Sequence, residues 1–316
     1  MSDALALLLG SVLVAVHGQR PLLRLTRSTF VDPQVSLIAW LVMLASVVVT
    51  AVVGVVFLGL PGHGALSPLL GQINSCWAAL RHGALPSWEQ GWALIGGLGL
   101  TAIALRVGVV ARRQTRIRRR RREQYRFLLA LVGTRSAQGS SIEVVWLDHQ
   151  DAVAFSVAGN PGLIVLSQGL RDQLTPHALA ATVEHERAHL RGHHQFVLDV
   201  VDALAAALPL APLFRSAPAA LRELVESAAD AAAVRRCGAP AVRAALRRIT
   251  ATSQPEGGLA MASTGIARRL QRLDSGRGPL PGVMRSLAIA AIAGTAAALP
   301  AVLGLAFVVS VACSVG

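Results

Sequence analysis

Long runs of apolar residues alternate with short arginine-rich segments along this chain. A membrane-spanning helix needs about 20 largely apolar residues, and four segments approach that requirement. They predict four transmembrane helices, at residues 4–19, 35–60, 90–111 and 286–316. The third helix can extend to 111 because Arg106 is long enough to carry its charge towards the membrane surface.

The residues between the third and fourth apolar segments have the pattern of a folded α+β domain. Ile142–Leu147 and Leu163–Ser167 are rich in β-branched residues and predict strands. Thr175 followed by Pro176 predicts the start of a helix, with Thr175 as its N-cap. This helix is expected to run through a histidine-rich segment and to end near Pro209.

Two more helices are predicted after that one, from about Ala219 to Gly238 and from Pro240 onwards. The composition then turns to Gly, Pro, Ser and Arg, which indicates a linker with one short helix around 268–273. The predicted regions are a three-span part at 1–111, a domain at 112–253, a linker at 254–285 and a fourth span at 286–316.

Composition and charge support a membrane protein and give it an orientation. Hydrophobic residues make up 53% of the chain and charged residues 15%, which excludes an ordinary soluble enzyme. The arginines cluster at 20–27 and 112–126, whereas the 61–89 loop contains only Arg81. Positively charged flanks of spans face the cytosol. In a bacterial cytoplasmic membrane, residues 112–285 are therefore expected on the cytosolic side and both termini on the outer side.

Two other interpretations of the charged and apolar segments are less favourable. A cleaved signal peptide carries its positive charges before the apolar run, whereas here they follow it. The run Arg118–Arg122 could suggest nucleic-acid binding, but it adjoins a predicted span and has only Tyr125 as an aromatic neighbour. We therefore expect contact with anionic lipid and no direct nucleic-acid binding. Pairing of Cys76 with Cys313 remains open.

Residues 183–194 concentrate four histidines and two glutamates. His185 and His189 are four residues apart, so in a helix their imidazoles lie on one face and can reach one metal ion. Glu186 lies beside them, where it can accept a proton from water. Zinc in such a site acidifies water and polarises a scissile carbonyl. His185-Glu186-Arg187-Ala188-His189 therefore predicts one zinc per chain with Glu186 as general base, against the alternative of an ordinary polar helix face.

The third zinc ligand has several candidates. The metzincin pattern requires a histidine where this chain has Gln195, a poor zinc ligand. The gluzincin pattern takes a glutamate from a later helix, and Glu226 fits. Asp230 lies one turn further on the same face and is expected to bind the far nitrogen of one histidine. Glu223 is the rival third ligand.

Other residues near the predicted zinc site have less defined roles. His193 continues the face of His185 and His189, so we expect it to line the cleft, to be structural or to stabilise an oxyanion. No role is predicted for His194. Residues 154–159 are expected to line the same cleft, beside an edge strand that pairs with extended substrate.

These motifs resemble the BlaR/MecR-type integral-membrane metallopeptidases, the antirepressor family of bacterial beta-lactam sensing. The matching segments are A-F-S-V-A-G at 154–159, V-L-S-Q-G-L at 165–170, H-E-R-A-H-L-R-G at 185–192 and E-S-A-A-D-A-A-A at 226–233. Three spans before the domain and one after it are also similar. The sensing members carry a penicillin-binding domain after the fourth span, and this chain ends at Gly316.

The resemblance implies a cytosolic gluzincin-type zinc peptidase domain between the third and fourth spans of a membrane α-helical protein. By motif position, His185, His189 and Glu226 would be metal ligands and Glu186 the general base. Asp230 would not bind the metal but would hydrogen-bond a ligand histidine. The implied substrate is a dimeric DNA-binding repressor of the BlaI/MecI-like winged-helix type. Homodimer formation is left open.

Two alternatives to an antirepressor are retained. The HtpX/CAAX-type membrane zinc peptidases share H-E-x-x-H and E-x-x-x-D and would imply quality control or maturation, although their span arrangement differs. A non-catalytic membrane signalling scaffold could keep the same fold, but such a protein has no need of Glu186.

Overall fold

The computed structural model describes residues 2–59, 88–132, 134–136, 142–252, 260–275 and 282–315. Within these ranges the chain forms eleven helices and a four-stranded sheet. In chain order they are α1 (Ser2–His17), α2 (Gln19–Arg27), α3 (Pro33–Gly59), α4 (Trp88–Val132), β1 (Thr134–Ser136), β2 (Ile142–Leu147), β3 (Ala154–Val157), β4 (Gly162–Ser167), α5 (Gln168–Gln173), α6 (Pro176–Arg191), α7 (His194–Ala207), α8 (Pro212–Cys237), α9 (Ala239–Thr252), α10 (Ala260–Asp274) and α11 (Gly282–Val315).

Four helical segments are long and apolar enough to cross a membrane, as the sequence predicts. They lie in α1 with its continuation α2, in α3, in the first half of α4 and in α11. Helix α4 does not end with its apolar part but continues through the arginine cluster to Val132. Most of the predicted 61–89 loop, including Cys76, lies outside the described residues, as does the side chain of Cys313.

Small residues bring α1 and α11 into close contact. A Cβ atom on Gly10 would overlap the carbonyl oxygen of Pro300, and one on Gly304 would overlap that of Ala6. Glycine is therefore required at both positions, because only a hydrogen atom fits between the two backbones. Close packing of this kind stabilises helix pairs in membranes, where burial from water contributes little.

The sheet has the strand order β1-β2-β4-β3. Strands β2 and β4 are parallel, while β1 and β3 pair antiparallel with them. All six residues of β4 are buried, which explains its continuous apolar sequence. The hydroxyl of Ser167 accepts a hydrogen bond from the backbone N–H of Leu170 and so caps α5, which leads into the histidine helix.

Helix α6 begins where the sequence predicts it. The Thr175 hydroxyl accepts a hydrogen bond from the Ala178 N–H, and Pro176 occupies the first turn. The prediction of one helix ending near Pro209 is wrong, because α6 ends at Arg191 and α7 starts at His194. Between them His193 adopts a left-handed backbone conformation with φ of 48°. His193 therefore marks the break at which α6 ends and α7 begins as a separate helix.

The later helices also differ from their predicted bounds. Helix α8 begins at Pro212 instead of Ala219, and Pro218 lies within its second turn. Its C-cap is Gly238, as predicted. The predicted linker contains α10, a fifteen-residue helix and not a short one. The boundaries of the four predicted regions remain predictions.

One core joins the apolar helices to the domain. Leu213, Phe214 and Leu221 from α8 and Val201 from α7 share a buried cluster with Trp40 of α3. The other buried members are Val14, Leu22, Ala39, Met43, Leu44, Val47, Ala217, Ala220, Leu224 and Ala296. The second half of α8 leaves this cluster and packs against α6. Helix α8 therefore links the membrane-spanning part to the helix that carries the histidines.

Candidate metal centre

His185 and His189 of α6 and Glu226 of α8 converge on one point. The Nε2 atoms of the two imidazoles are 3.1 Å apart. The Glu226 carboxylate places Oε2 3.5 Å from Nε2 of His185 and Oε1 3.4 Å from Nε2 of His189. Two nitrogen atoms and one carboxylate therefore form a triangle, and these three residues form a group suited to a metal ion.

The size of this triangle fits zinc. Ligand atoms about 2.05 Å from a tetrahedrally coordinated ion lie about 3.3 Å from one another, close to the observed 3.1, 3.4 and 3.5 Å. Two histidines with one glutamate are a usual donor set of catalytic zinc sites, in which the fourth position stays open for water or substrate. The residues present therefore fit one zinc ion.

Asp230 fixes the orientation of His185 from behind. Its Oδ1 atom is 3.0 Å from Nδ1 of His185, so the imidazole directs Nε2 towards Glu226. Burial would lower the pKa of His185, but the hydrogen bonds to Asp230 and Glu226 outweigh it and raise that pKa to about 9. A carboxylate behind a ligand histidine sets its tautomer and increases its basicity.

Arg269 of α10 completes this side of the centre. Its Nε and Nη2 atoms lie 2.6 and 2.8 Å from the two carboxylate oxygens of Asp230, and Nη1 lies 3.1 Å from Oε2 of Glu226. Burial opposes ionisation of both acids, yet contacts with Arg269 and His185 lower their pKa values to about 2. The predicted linker therefore contributes a buried, bidentate cation to the site.

His194 supports the second ligand histidine. Its Nδ1 is 3.0 Å from Nδ1 of His189, and their rings meet edge to face. One ring must donate and the other accept in this contact. Burial comes first among the causes that lower the pKa of His194 and of His189 to about 4, so both rings are neutral near pH 7. Gly192 makes room for this arrangement, because a Cβ there would overlap Nε2 of His194.

Glu186 is partly buried next to the candidate ligands. Burial is the main cause that raises the pKa of its carboxyl, while a hydrogen bond from Ser156 of β3 partly opposes the shift. A glutamate with a raised pKa is better suited to exchange a proton near neutral pH. Strand β3 pairs only with β4 among the described strands, which makes it an edge strand of the described sheet, and it packs against α6.

Not every predicted residue reaches the centre. His193 is exposed and does not continue the face of His185 and His189, because α6 ends before it. Glu223 pairs with Arg268 at 2.9 Å and contacts neither histidine in the described interactions. His194 and Arg269 were missed. No signal in the sequence distinguished His194 from His193 or Arg269 from Arg268.

Comparison with known proteins assigns this chain to a family. The model of peptidase family M48 matches residues 114–276, just over half of the chain, and the matched region includes every residue of the centre. No curated protein and no solved structure shows significant similarity. The match supports a membrane-type zinc metallopeptidase and leaves the BlaR/MecR-type assignment a prediction. The protein is a metalloprotease that belongs to peptidase family M48.

Proposed function

We propose that this protein is a membrane-embedded zinc endopeptidase that hydrolyses peptide bonds of a protein substrate on the cytosolic side. The observation that carries this proposal is the triangle of His185, His189 and Glu226 with Glu186 partly buried beside it. The donor set matches catalytic zinc sites, and Glu186 is the group that a purely structural site would not need.

The residues divide the chemistry among them. His185, His189 and Glu226 would hold one zinc, which supplies Lewis acidity to the scissile carbonyl and to the attacking water. Glu186 accepts the proton of that water and delivers it to the leaving amine. Asp230 and His194 hold the two imidazoles in place. The edge strand β3, beside α6, is where an extended peptide would bind by backbone pairing.

The arginine distribution supports the cytosolic location. The clusters at 20–27 and 112–126 adjoin the carboxyl-terminal ends of the apolar parts of α1 and α4. Arg272 of α10 also donates a 2.7 Å hydrogen bond to the Thr26 carbonyl, which ties the domain to that same end of α2. By the positive-inside rule this side is the cytosol of a bacterial cytoplasmic membrane, with both termini on the opposite side.

Substitution of the general base tests the enzyme. Glu186→Gln is expected to retain one zinc per chain and to hydrolyse an unstructured protein such as casein about 100- to 10,000-fold more slowly, since an amide cannot take the proton. Asp172→Asn, at an exposed position of α5, is the matched control and should keep full activity. Casein hydrolysis by Glu186→Gln at the unsubstituted rate would exclude this mechanism.

For the physiological substrate we propose a dimeric DNA-binding repressor of the BlaI/MecI-like type. The E-S-A-A-D-A-A-A segment at 226–233 and the arrangement of three spans before the domain and one after it support this choice. Proteomics of a Glu186→Gln strain against the unsubstituted strain should show one DNA-binding protein that loses its cleavage product. Accumulation of membrane proteins instead would favour the quality-control alternative.

A further inference from the structure

The turn between α7 and α8 consists entirely of apolar residues. From Ala203 to Phe214 the chain has twelve residues without a charged or hydrogen-bonding side chain. The turn connects the last residue of α7, Ala207, with Pro212, the first residue of α8. At its tip Leu210 is 94% exposed, which is the highest value among the large apolar side chains in the described part of the chain.

Helices α7 and α8 and the turn between them form the α7–α8 hairpin, and its neighbours are the membrane-spanning helices. Leu213 and Phe214 of α8 are fully buried in the cluster that contains Trp40 and Val47 of α3. Helix α3 begins at Pro33, and Trp40 and Val47 follow it by seven and fourteen residues. At 1.5 Å per residue they lie about 10 and 21 Å along the span from its start. The inner face of the hairpin is therefore part of the membrane-spanning bundle.

Two large apolar side chains on the outer face of the hairpin are exposed. Phe196 and Val200 of α7 are 66% and 42% exposed and lie one turn apart on the same face as each other. The charged residue nearest the tip is Arg215, which is exposed in the first turn of α8 and long enough to carry its charge towards the membrane surface. The first charged pair lies further from the tip and joins Asp202 of α7 to Arg222 of α8 at 2.7 Å. The tip extends about 12 Å beyond this pair, which is within one leaflet of a hydrocarbon core about 30 Å thick.

The backbone of the turn is adapted to an apolar solvent. Pro209 and Pro212 have no N–H group, and the N–H groups of Leu208 and Ala211 bond to the carbonyls of Leu204 and Leu208. Few donors are left without a partner, which is the condition for a backbone that leaves water.

We infer that the α7–α8 hairpin is inserted into the membrane, in the leaflet on the side of the metal centre, with its tip in contact with lipid acyl chains. The occupant of its outer face is lipid because the inner face continues directly into the spans α1 and α3. Helix α7 has fourteen residues and is about 21 Å long, so the hairpin fixes the distance between the bilayer and His194 at the base of the centre.

Thiol accessibility tests this inference. In a variant with all three cysteines replaced by serine and reconstituted in nanodiscs, Leu210→Cys is compared with Val49→Cys on the exposed side of α3 and Asp172→Cys on the aqueous surface. We expect a charged maleimide to react with the Leu210→Cys thiol at least tenfold more slowly than with the Asp172→Cys thiol and about as slowly as with the Val49→Cys thiol. Equal rates at Leu210→Cys and Asp172→Cys would overturn the inference.

A second measurement separates lipid from protein as the cover. A fluorophore attached to the Leu210→Cys thiol should be quenched by phospholipids that carry doxyl groups on their acyl chains, as at Val49→Cys. Slow labelling without such quenching would mean that another polypeptide covers the tip and would also overturn the inference. Neither readout depends on peptidase activity.

Discussion

Arg269 holds both carboxylate oxygens of Asp230, with Nε 2.6 Å from Oδ2 and Nη2 2.8 Å from Oδ1. Asp230 in turn holds His185, so the contact connects α10 to a candidate metal ligand through two hydrogen-bonded steps. A guanidinium that binds a carboxylate through two parallel bonds fixes its position as well as its charge. The orientation of His185 therefore depends on Arg269, which follows the candidate ligand Glu226 by 43 residues in the chain.

Removal of this contact should weaken the centre. Arg269→Gln is expected to lower zinc affinity or peptidase activity about 10- to 100-fold, as is usual for partners behind metal ligands. Arg268→Gln is the matched control, since Arg268 precedes it on the same helix and pairs with Glu223. Zinc content and casein hydrolysis are measured on both proteins. Similar losses in the two variants would assign the effect to α10 as a whole and not to the Asp230 contact.

The identity of the third ligand is tested by two glutamates on α8. Glu226→Ala should bind zinc much more weakly than the unsubstituted protein, because only two nitrogen ligands remain. Glu223→Ala should retain one zinc per chain, since Glu223 pairs with Arg268. Metal content after dialysis measures the difference. Equal zinc loss in both variants would show that Glu226 is not the third ligand.

His194 should be required for the orientation of His189. His194→Ala removes the 3.0 Å contact between the two Nδ1 atoms and is expected to reduce zinc affinity about tenfold or more. The control is His193→Asn, because His193 is exposed and asparagine tolerates the left-handed conformation at that position. Competition with a zinc-binding dye reports both affinities. Unchanged affinity in His194→Ala would limit this residue to packing.

The cap of the histidine helix should contribute to stability. Thr175→Ala removes the acceptor of the Ala178 N–H and is expected to lower the free energy of unfolding by about 1 kcal/mol. Thr175→Ser keeps a hydroxyl and should lose much less. Thermal unfolding of the zinc-free proteins in detergent measures the effect without a contribution from metal binding.

The close contact of α1 with α11 predicts a position-specific effect of alanine. Gly304→Ala places a methyl group against the Ala6 carbonyl and is expected to cost about 1–3 kcal/mol through overpacking. Gly99→Ala in α4 is the control, because no atom lies within 4 Å of the added methyl group. A lower unfolding temperature for Gly304→Ala alone would agree with the prediction. The same temperature for both variants would contradict it.

The sequence by itself determined the features that depend on local patterns. Four spans follow from the lengths of the apolar runs, β2 and β4 from their β-branched residues, and the start of α6 from Thr175 and Pro176. The spacing of His185 and His189 required only helical periodicity to place both imidazoles on one face. Each of these features depends only on residues that are close together in the chain, within a few helical turns or one strand.

Only the tertiary structure decided which distant groups complete the centre. Arg268 and Arg269 are equivalent in the sequence, and the packing of α10 on α8 determines which of them contacts Asp230. His194 meets His189 because the chain turns at His193, which has a left-handed backbone conformation that no local pattern indicated. The surroundings of the 203–214 segment likewise depend on its contact with α3. Contacts between residues far apart in the chain arise from packing, which local periodicity does not encode.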